Sequence, residues 1–145
     1  MGLVEGKVII VTGASSGIGE KTAEVLVDGW LCTNDVAVIN DAGLLKIKGR
    51  KDDMIIKSGM NIYPVEIESA VRRDTRVKDV VAYGIKGRYG TQIGMTVVGD
   101  FTTTEEVKRL CMECLPPYQV PTTIVITDEL PQNGSGKTIR RKQNA

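Results

Sequence analysis

The stretch from Val77 to Gly99 constrains this chain most. Val77–Ile85 and Gln92–Gly99 are both rich in strand-forming residues and are linked by the turn GRYG, so they read as consecutive β-strands. Strands so short must hide one face, and the flanking sequence offers helices to cover it. Pro64 stands where a first helical residue would be, and Val65, Ile67, Glu68, Ala70 and Val71 continue that helix to about Arg73. Thr103 with Glu106 three residues on is a capping-box pair opening a helix through Cys114, which Pro116 and Pro117 stop. Thr122–Thr127, TTIVIT, is a last strand. Upstream, Asp35–Lys48 alternates loosely around NDAG, Asn40–Gly43, as two short strands and a hairpin turn, with a further turn at Gly49–Asp53. The order hairpin, helix, strand, strand, helix, strand predicts an α+β fold: a small mixed or antiparallel sheet with helices packed on it, plus an N-terminal β-hairpin.

A different text precedes this. Lys7–Val27, KVIIVTGASSGIGEKTAEVLV, reads as an apolar strand, a glycine-rich turn and a helix, a single Rossmann-like βα unit. It resembles the start of a short-chain dehydrogenase/reductase, in which the turn, here Gly13, Ser15, Gly17, Ile18 and Gly19, lets backbone N–H groups approach the pyrophosphate of NAD(P). The Tyr-x-x-x-Lys pair of that family has no counterpart, since Ile67, Gly87, Ile93 and Thr122 stand four residues after the four tyrosines. One βα unit also lacks the neighbouring strands that wall a dinucleotide site. The reading is therefore a vestigial dinucleotide turn in a fused remnant or misjoined product, with a first segment 1–28 and a second domain 29–145.

Composition excludes several classes. At 145 residues, 41% hydrophobic and 26% charged, the chain has room for one ordinary core plus an appendage. A net charge of +1 and a short terminal basic cluster, Lys137, Arg140, Arg141 and Lys142, carry no nucleic-acid footprint. No apolar run approaches the roughly 20 residues of a membrane span, and no signal peptide is legible, so a cytoplasmic protein is expected. Cys111 and Cys114 form a C-x-x-C, yet with Val107, Leu110 and Leu115 they fall on one helix face, where thiols pack as small hydrophobes. With no histidine and only Cys32 left over, no metal site is expected.

Two motifs carry chemistry: GRKDDMIIKSGMNIYPVEIE, Gly49–Glu68, and LPQNGSGKTIRR, Leu130–Arg141. Lys137 lies in a loop with Gly134 and Gly136, a compact ammonium on a long stem that can reach into a cleft; taken alone, a solvated lysine beside a basic tail is the alternative. A P-loop would need glycine where Pro131 stands. In this order and spacing the two motifs resemble the C-terminal domain of the adenylate-forming superfamily, which includes acyl-CoA synthetases, over roughly Asp28–Lys142. The resemblance implies that Lys137 is the catalytic lysine bridging carboxylate and α-phosphate. It implies that Asp35 and Arg50 hold the nucleotide ribose or phosphate, and that Asp52 is the hinge. Ser58, Gly59, Met60 and Asn61 would be the loop lining the coenzyme A tunnel. Asp35 stands in TND where that family has T-G-D, and asparagine tolerates the positive φ such a turn asks for; an aspartate that merely ends a turn is the other reading. The form DDMIIKSGxNIYPxEIE is closer to acyl-CoA and aryl-CoA ligases than to peptide-synthetase domains, which points to coenzyme A rather than a carrier protein as acceptor.

The function so implied is the mobile lid of an ATP-dependent acyl-CoA synthetase. ATP/AMP and coenzyme A are its expected cofactors, with magnesium implied by ATP and bound mainly elsewhere. The large adenylation domain is absent from the sequence, so activity requires one in trans. Two other readings stand beside it: an NAD(P)-dependent dehydrogenase fragment, and a non-catalytic partner-binding module. Val8–Val11, an apolar strand edge if left free, is expected either to dock on the domain or to mediate self-association. Nucleic acid and membrane are not expected partners.

Overall fold

The computed structural model describes residues 26–27, 30–31, 33–88, 90–134 and 138–140. The chain divides into two compact units, Met1–Asp52 and Asp53–Ala145. Most of the proposed βα unit, including Gly13, Ser15, Gly17, Ile18 and Gly19, lies outside the described residues, as does Asp28. Where its end is described it is not helical: β1 (Leu26–Val27) pairs antiparallel with β2 (Trp30–Leu31), Leu26 opposite Leu31 and Val27 opposite Trp30. Val27 and Trp30 are residue types that suit a strand, and their cross-strand pairing prevails over the helical pattern.

The rest of the first unit is the expected hairpin. Strand β3 (Asp35–Ile39) pairs antiparallel with β4 (Leu45–Arg50), from Asp35 opposite Arg50 to Ile39 opposite Leu45, with a bulge between Val36 and Ala37. Asn40 shapes the connection, its side-chain oxygen accepting from the Ala42 and Leu44 N–H groups at 3.1 and 2.8 Å. Such an Asx-type bond is why asparagine starts turns.

The second unit follows the expected order with one addition. A 3₁₀ turn at Lys51–Asp53 leads to a small hairpin of β5 (Ile55–Lys57) and β6 (Met60–Ile62). Then come α1 (Pro64–Val71), β7 (Val77–Gly87), β8 (Gly90–Gly99), α2 (Thr104–Cys114), a 3₁₀ turn at Pro117–Gln119 and β9 (Thr123–Ile126). Strand β8 is central, antiparallel to β7 and parallel to β9, so the three-stranded sheet is mixed. The parallel pairing follows from connectivity, because α2 returns the chain to the end where β8 began.

Period-two alternation decides which face is buried. Ile93, Met95 and Val97 of β8, with Val80 and Ala82 of β7, point to the side where α1 supplies Ile67 and Val71 and α2 supplies Val107 and Cys111. Ile55 and Ile62 of the small hairpin close the same core. Asp79, Val81, Tyr83, Thr96, Val98 and Thr127 line the opposite face, above a cleft bounded by Asp128–Gln132 and Ile139. No helix among the described residues is long and apolar enough to cross a membrane.

Capping departs from the expected reciprocal form. Thr103 Oγ1 accepts the Glu106 N–H at 3.4 Å, while the Glu106 carboxylate turns to the N–H and hydroxyl of Thr102 at 3.2 and 2.8 Å. These bonds favour the charged form and lower the Glu106 pKa. Burial pushes the Cys111 thiol up to about 12, so it is neutral and packs as a hydrophobe.

Ile67→Ala is expected to cost about 2–5 kcal/mol through lost burial and a residual cavity, read as a lower urea midpoint. Thr103→Ala is expected to cost about 1 kcal/mol. Above the roughly 8.5 at which an unfolded cysteine ionises, the unfolded chain releases a proton that folded Cys111 holds until about 12. Stability is therefore expected to fall as pH rises through that window, and Cys111→Ala to make the slope shallower.

Candidate functional site

At the open end of the β3–β4 hairpin, three residues singled out from the sequence come together. Asp35 and Arg50 are cross-strand partners. Asp52 Oδ2 is 3.4 Å from Arg50 Nη2 and 3.3 Å from Asn34 Nδ2. Asn34 adopts φ 61°, a left-handed conformation that asparagine accepts more readily than other residues with a side chain, and its carbonyl accepts the Lys51 N–H at 2.7 Å. The turn is thus closed by a backbone bond, and the side chains above it meet only through long, solvent-facing contacts. Arg50 and Asp52 are 53% and 60% exposed, so their ion pair adds little stability and separates at little cost. The Asp35 carboxylate has no partner among the described residues, while its N–H donates to Thr33 Oγ1 at 3.3 Å.

In the second unit, Ser58 and Gly59 form the two-residue turn of the β5–β6 hairpin, between Lys57 and its partner Met60. Both carry positive φ, 51° and 79°, which is the primed turn matched to the twist of a tight hairpin. The sequence reading treats Lys57–Asn61 as a loop; with Ile55–Lys57 and Met60–Ile62 only three residues each, the strands are too short for alternation to reveal. Ser58, Gly59, Met60 and Asn61 are all exposed. Lys57 Nζ donates to the Tyr118 carbonyl at 3.1 Å, tying the hairpin to the 3₁₀ turn after α2.

Lys137 lies outside the described residues, but its flanks do not. Gln132 and Thr138 form an antiparallel bridge, and the Ile139 N–H donates to the Pro131 carbonyl at 2.7 Å. Arg140 then forks onto Glu68: Nη2 to Oε2 at 3.0 Å, and Nη1 to Oε1. Its Nε stands 3.5 Å from Asp53 Oδ2. Glu68 is buried on α1 and also accepts the Ala82 N–H at 2.9 Å. Sequence reasoning passed over this pair, taking Glu68 as a helix position and Arg140 as part of a basic tail. The available signal was a carboxylate between Ile67 and Val71, on the apolar side of the helix, where a charge needs a partner.

Residues 66–137 match the family described as AMP-binding enzyme C-terminal domain. That segment is an AMP-binding C-terminal domain of the adenylate-forming superfamily. Among curated relatives, the domain-bearing chain is 40% identical over 125 residues to a long-chain-fatty-acid–CoA ligase of Haemophilus influenzae, covering 84% of this chain and 22% of that protein. It is 33% identical over 146 residues to a 2-succinylbenzoate–CoA ligase of Bacillus cereus, covering 97% of this chain and 30% of that one. The latter alignment reaches into the stretch read as dehydrogenase-like. Among solved structures, the o-succinylbenzoate CoA synthetase of Bacillus subtilis in complex with its acyl-adenylate intermediate superposes with a TM-score of 0.77 at 28% identity. The match covers 88% of this chain and 27% of that one. The chain therefore carries the C-terminal domain of the acyl-CoA and aryl-CoA ligase family, and spans under a third of the relatives named here. The NAD(P) reading of the first residues draws no support from these matches.

Asn34→Gly is expected to leave the first unit's turn intact, because glycine accepts positive φ freely. Asn34→Val is expected to cost about 1–2 kcal/mol, seen as faster hydrogen exchange at the Lys51 amide.

Proposed function

We propose that this chain is the mobile lid of an ATP-dependent acyl-CoA synthetase. The observation that carries the reading is the convergence of Asp35, Arg50 and Asp52 at one hairpin end, directly before the chain passes from one compact unit to the next between Asp52 and Asp53. Asp35 offers a carboxylate with no partner among the described residues, which suits it to accept from two ribose hydroxyls. Arg50 brings a guanidinium whose contact to Asp52 is weak enough to be exchanged for phosphate. Asp52 is solvated and loosely held, as a hinge residue that changes backbone conformation has to be.

Adenylation joins a carboxylate to an α-phosphate, two anions that repel. In this reading Lys137 reaches between them and stabilises the charge that builds on both as pyrophosphate leaves. After rotation about Asp52, the hairpin turn at Ser58 and Gly59, with Met60 and Asn61, lines the path by which the coenzyme A thiol attacks the acyl-adenylate and displaces AMP. The turn suits this because it presents backbone with nothing within 4 Å of where a Gly59 side chain would start. Magnesium would ride with ATP and be held mainly by groups of a large domain. Such a domain has to be present for the reaction, since this chain spans 22% of the Haemophilus influenzae ligase and the lysine alone has no substrate to bridge. Ile39, Leu44, Leu45 and Ile47, between 41% and 66% exposed on the hairpin, are the apolar surface such a partner would cover.

The chain mixed with a separately produced large domain of a long-chain-fatty-acid–CoA ligase should restore ATP-dependent thioester formation. Lys137→Ala is expected to lower acyl-adenylate formation by about 100-fold or more. Attack of coenzyme A on preformed acyl-adenylate should stay close to wild type. Absence of restored activity, together with no NMR shifts at Asp35, Arg50 or Gly59 on adding AMP or coenzyme A, would overturn the proposal.

A further inference from the structure

Glu68 is 4% exposed, a position in which a carboxylate persists only when its oxygens are fully engaged. They are: Oε1 takes the Ala82 N–H at 2.9 Å and the Arg140 Nη1 group, and Oε2 takes Arg140 Nη2 at 3.0 Å. Arg140 lies 72 residues from Glu68 in sequence, and its remaining nitrogen, Nε, faces Asp53 at 3.5 Å. One side chain thus ties together α1, the start of the second unit and, through Glu68, strand β7. Arg140 stands three residues after Lys137 and directly after Ile139, whose N–H is bonded to Pro131.

We infer that Arg140 is a positioning residue: its fork on Glu68 and its contact with Asp53 anchor residues 138–140, the stretch that directly follows Lys137 in the sequence. A single antiparallel bridge, Gln132 with Thr138, is too little to hold an extended segment in water. A bidentate guanidinium–carboxylate pair sets direction as well as distance, which a lysine at the same place would not do. A reacting ammonium on a long flexible stem depends on such a fixed base, because misplacement by about 1 Å costs about 100-fold in rate. The contact to Asp53, the residue after the proposed hinge, ties residues 138–140 to the hinge-side end of the unit. This inference rests on the lid reading for what Lys137 does, while the anchor is measured without any reaction.

Arg140→Gln alone would strand a buried charge and threaten folding, so the informative variant is Glu68→Gln with Arg140→Gln, which removes both charges together. Hydrogen exchange and backbone ¹⁵N relaxation on the labelled full chain read the outcome. In the double variant, exchange at the Ile139 amide should accelerate about tenfold or more, while the strand β8 amides of Met95 and Val97 change less than about threefold. Arg140→Lys should fall between wild type and the double variant. Unchanged Ile139 exchange in a folded double variant would overturn the inference. Acceleration shared equally by Met95, Val97 and Ile139 would do the same, since it would mark a stabilising pair with no local role. If the complementation assay fails while Ile139 protection still depends on the pair, the lid reading falls and the anchor stands.

Discussion

The central strand β8 must lose contact with water on one face, and the second unit is organised around that requirement. Ile93, Met95 and Val97 are fully buried there, and at roughly 25 cal/mol per Å² of apolar surface their removal from water is a large favourable contribution. Strand β7 and strand β9 satisfy the hydrogen bonds of β8 on either side, and α1 and α2 cover its inner face. The amphipathic spacing of α2, with Val107, Cys111 and Leu115 inward, is the complement of that demand. Cys111 illustrates how complete the exclusion is, since its thiol is too poorly solvated to ionise at neutral pH.

In contrast to this buried layer, the residues proposed to bear chemistry are placed where the chain is least committed. Ser58 and Gly59 occupy a hairpin turn that projects from the core strands' neighbour, and Arg50 and Asp52 meet across exposed, long contacts. Stability and exchangeability are separated along the chain: buried pairs hold, surface pairs let go. Glu68 with Arg140 belongs to the first kind and Arg50 with Asp52 to the second. The proposed lid, which would have to keep its internal geometry while changing its contacts, would use both kinds.

Much of the architecture was legible because it rests on short-range physics. Pro64 at the first helical position, Thr103 as a cap, the paired prolines after Cys114 and the GRYG turn each act within a few residues, and the helix over Thr104–Cys114 ends where they say. The hairpin around Asn40–Gly43 was readable for the same reason. The β5–β6 hairpin was not, because strands of three residues carry no periodicity, and its turn uses Ser58 at positive φ where the usual signal is asparagine or aspartate. Leu26–Val27 was read as the end of a helix, and its pairing with Trp30–Leu31 shows that cross-strand contacts outweighed a weak helical pattern.

By itself the sequence determined the order of the longer elements from Pro64 onward, the limits and buried face of α2, and the match of residues 66–137 to the AMP-binding C-terminal family. Each follows from neighbours in the chain or from spacing along one element. Tertiary structure alone decided that Glu68 and Arg140, 72 positions apart, form one buried fork with Ala82 beneath it and Asp53 beside it. It also decided that Asp35 and Arg50 sit opposite each other. The fork depends on which surfaces burial of the β8 face brings together, which no local pattern fixes; the Asp35–Arg50 register is set within its own hairpin by the bulge between Val36 and Ala37.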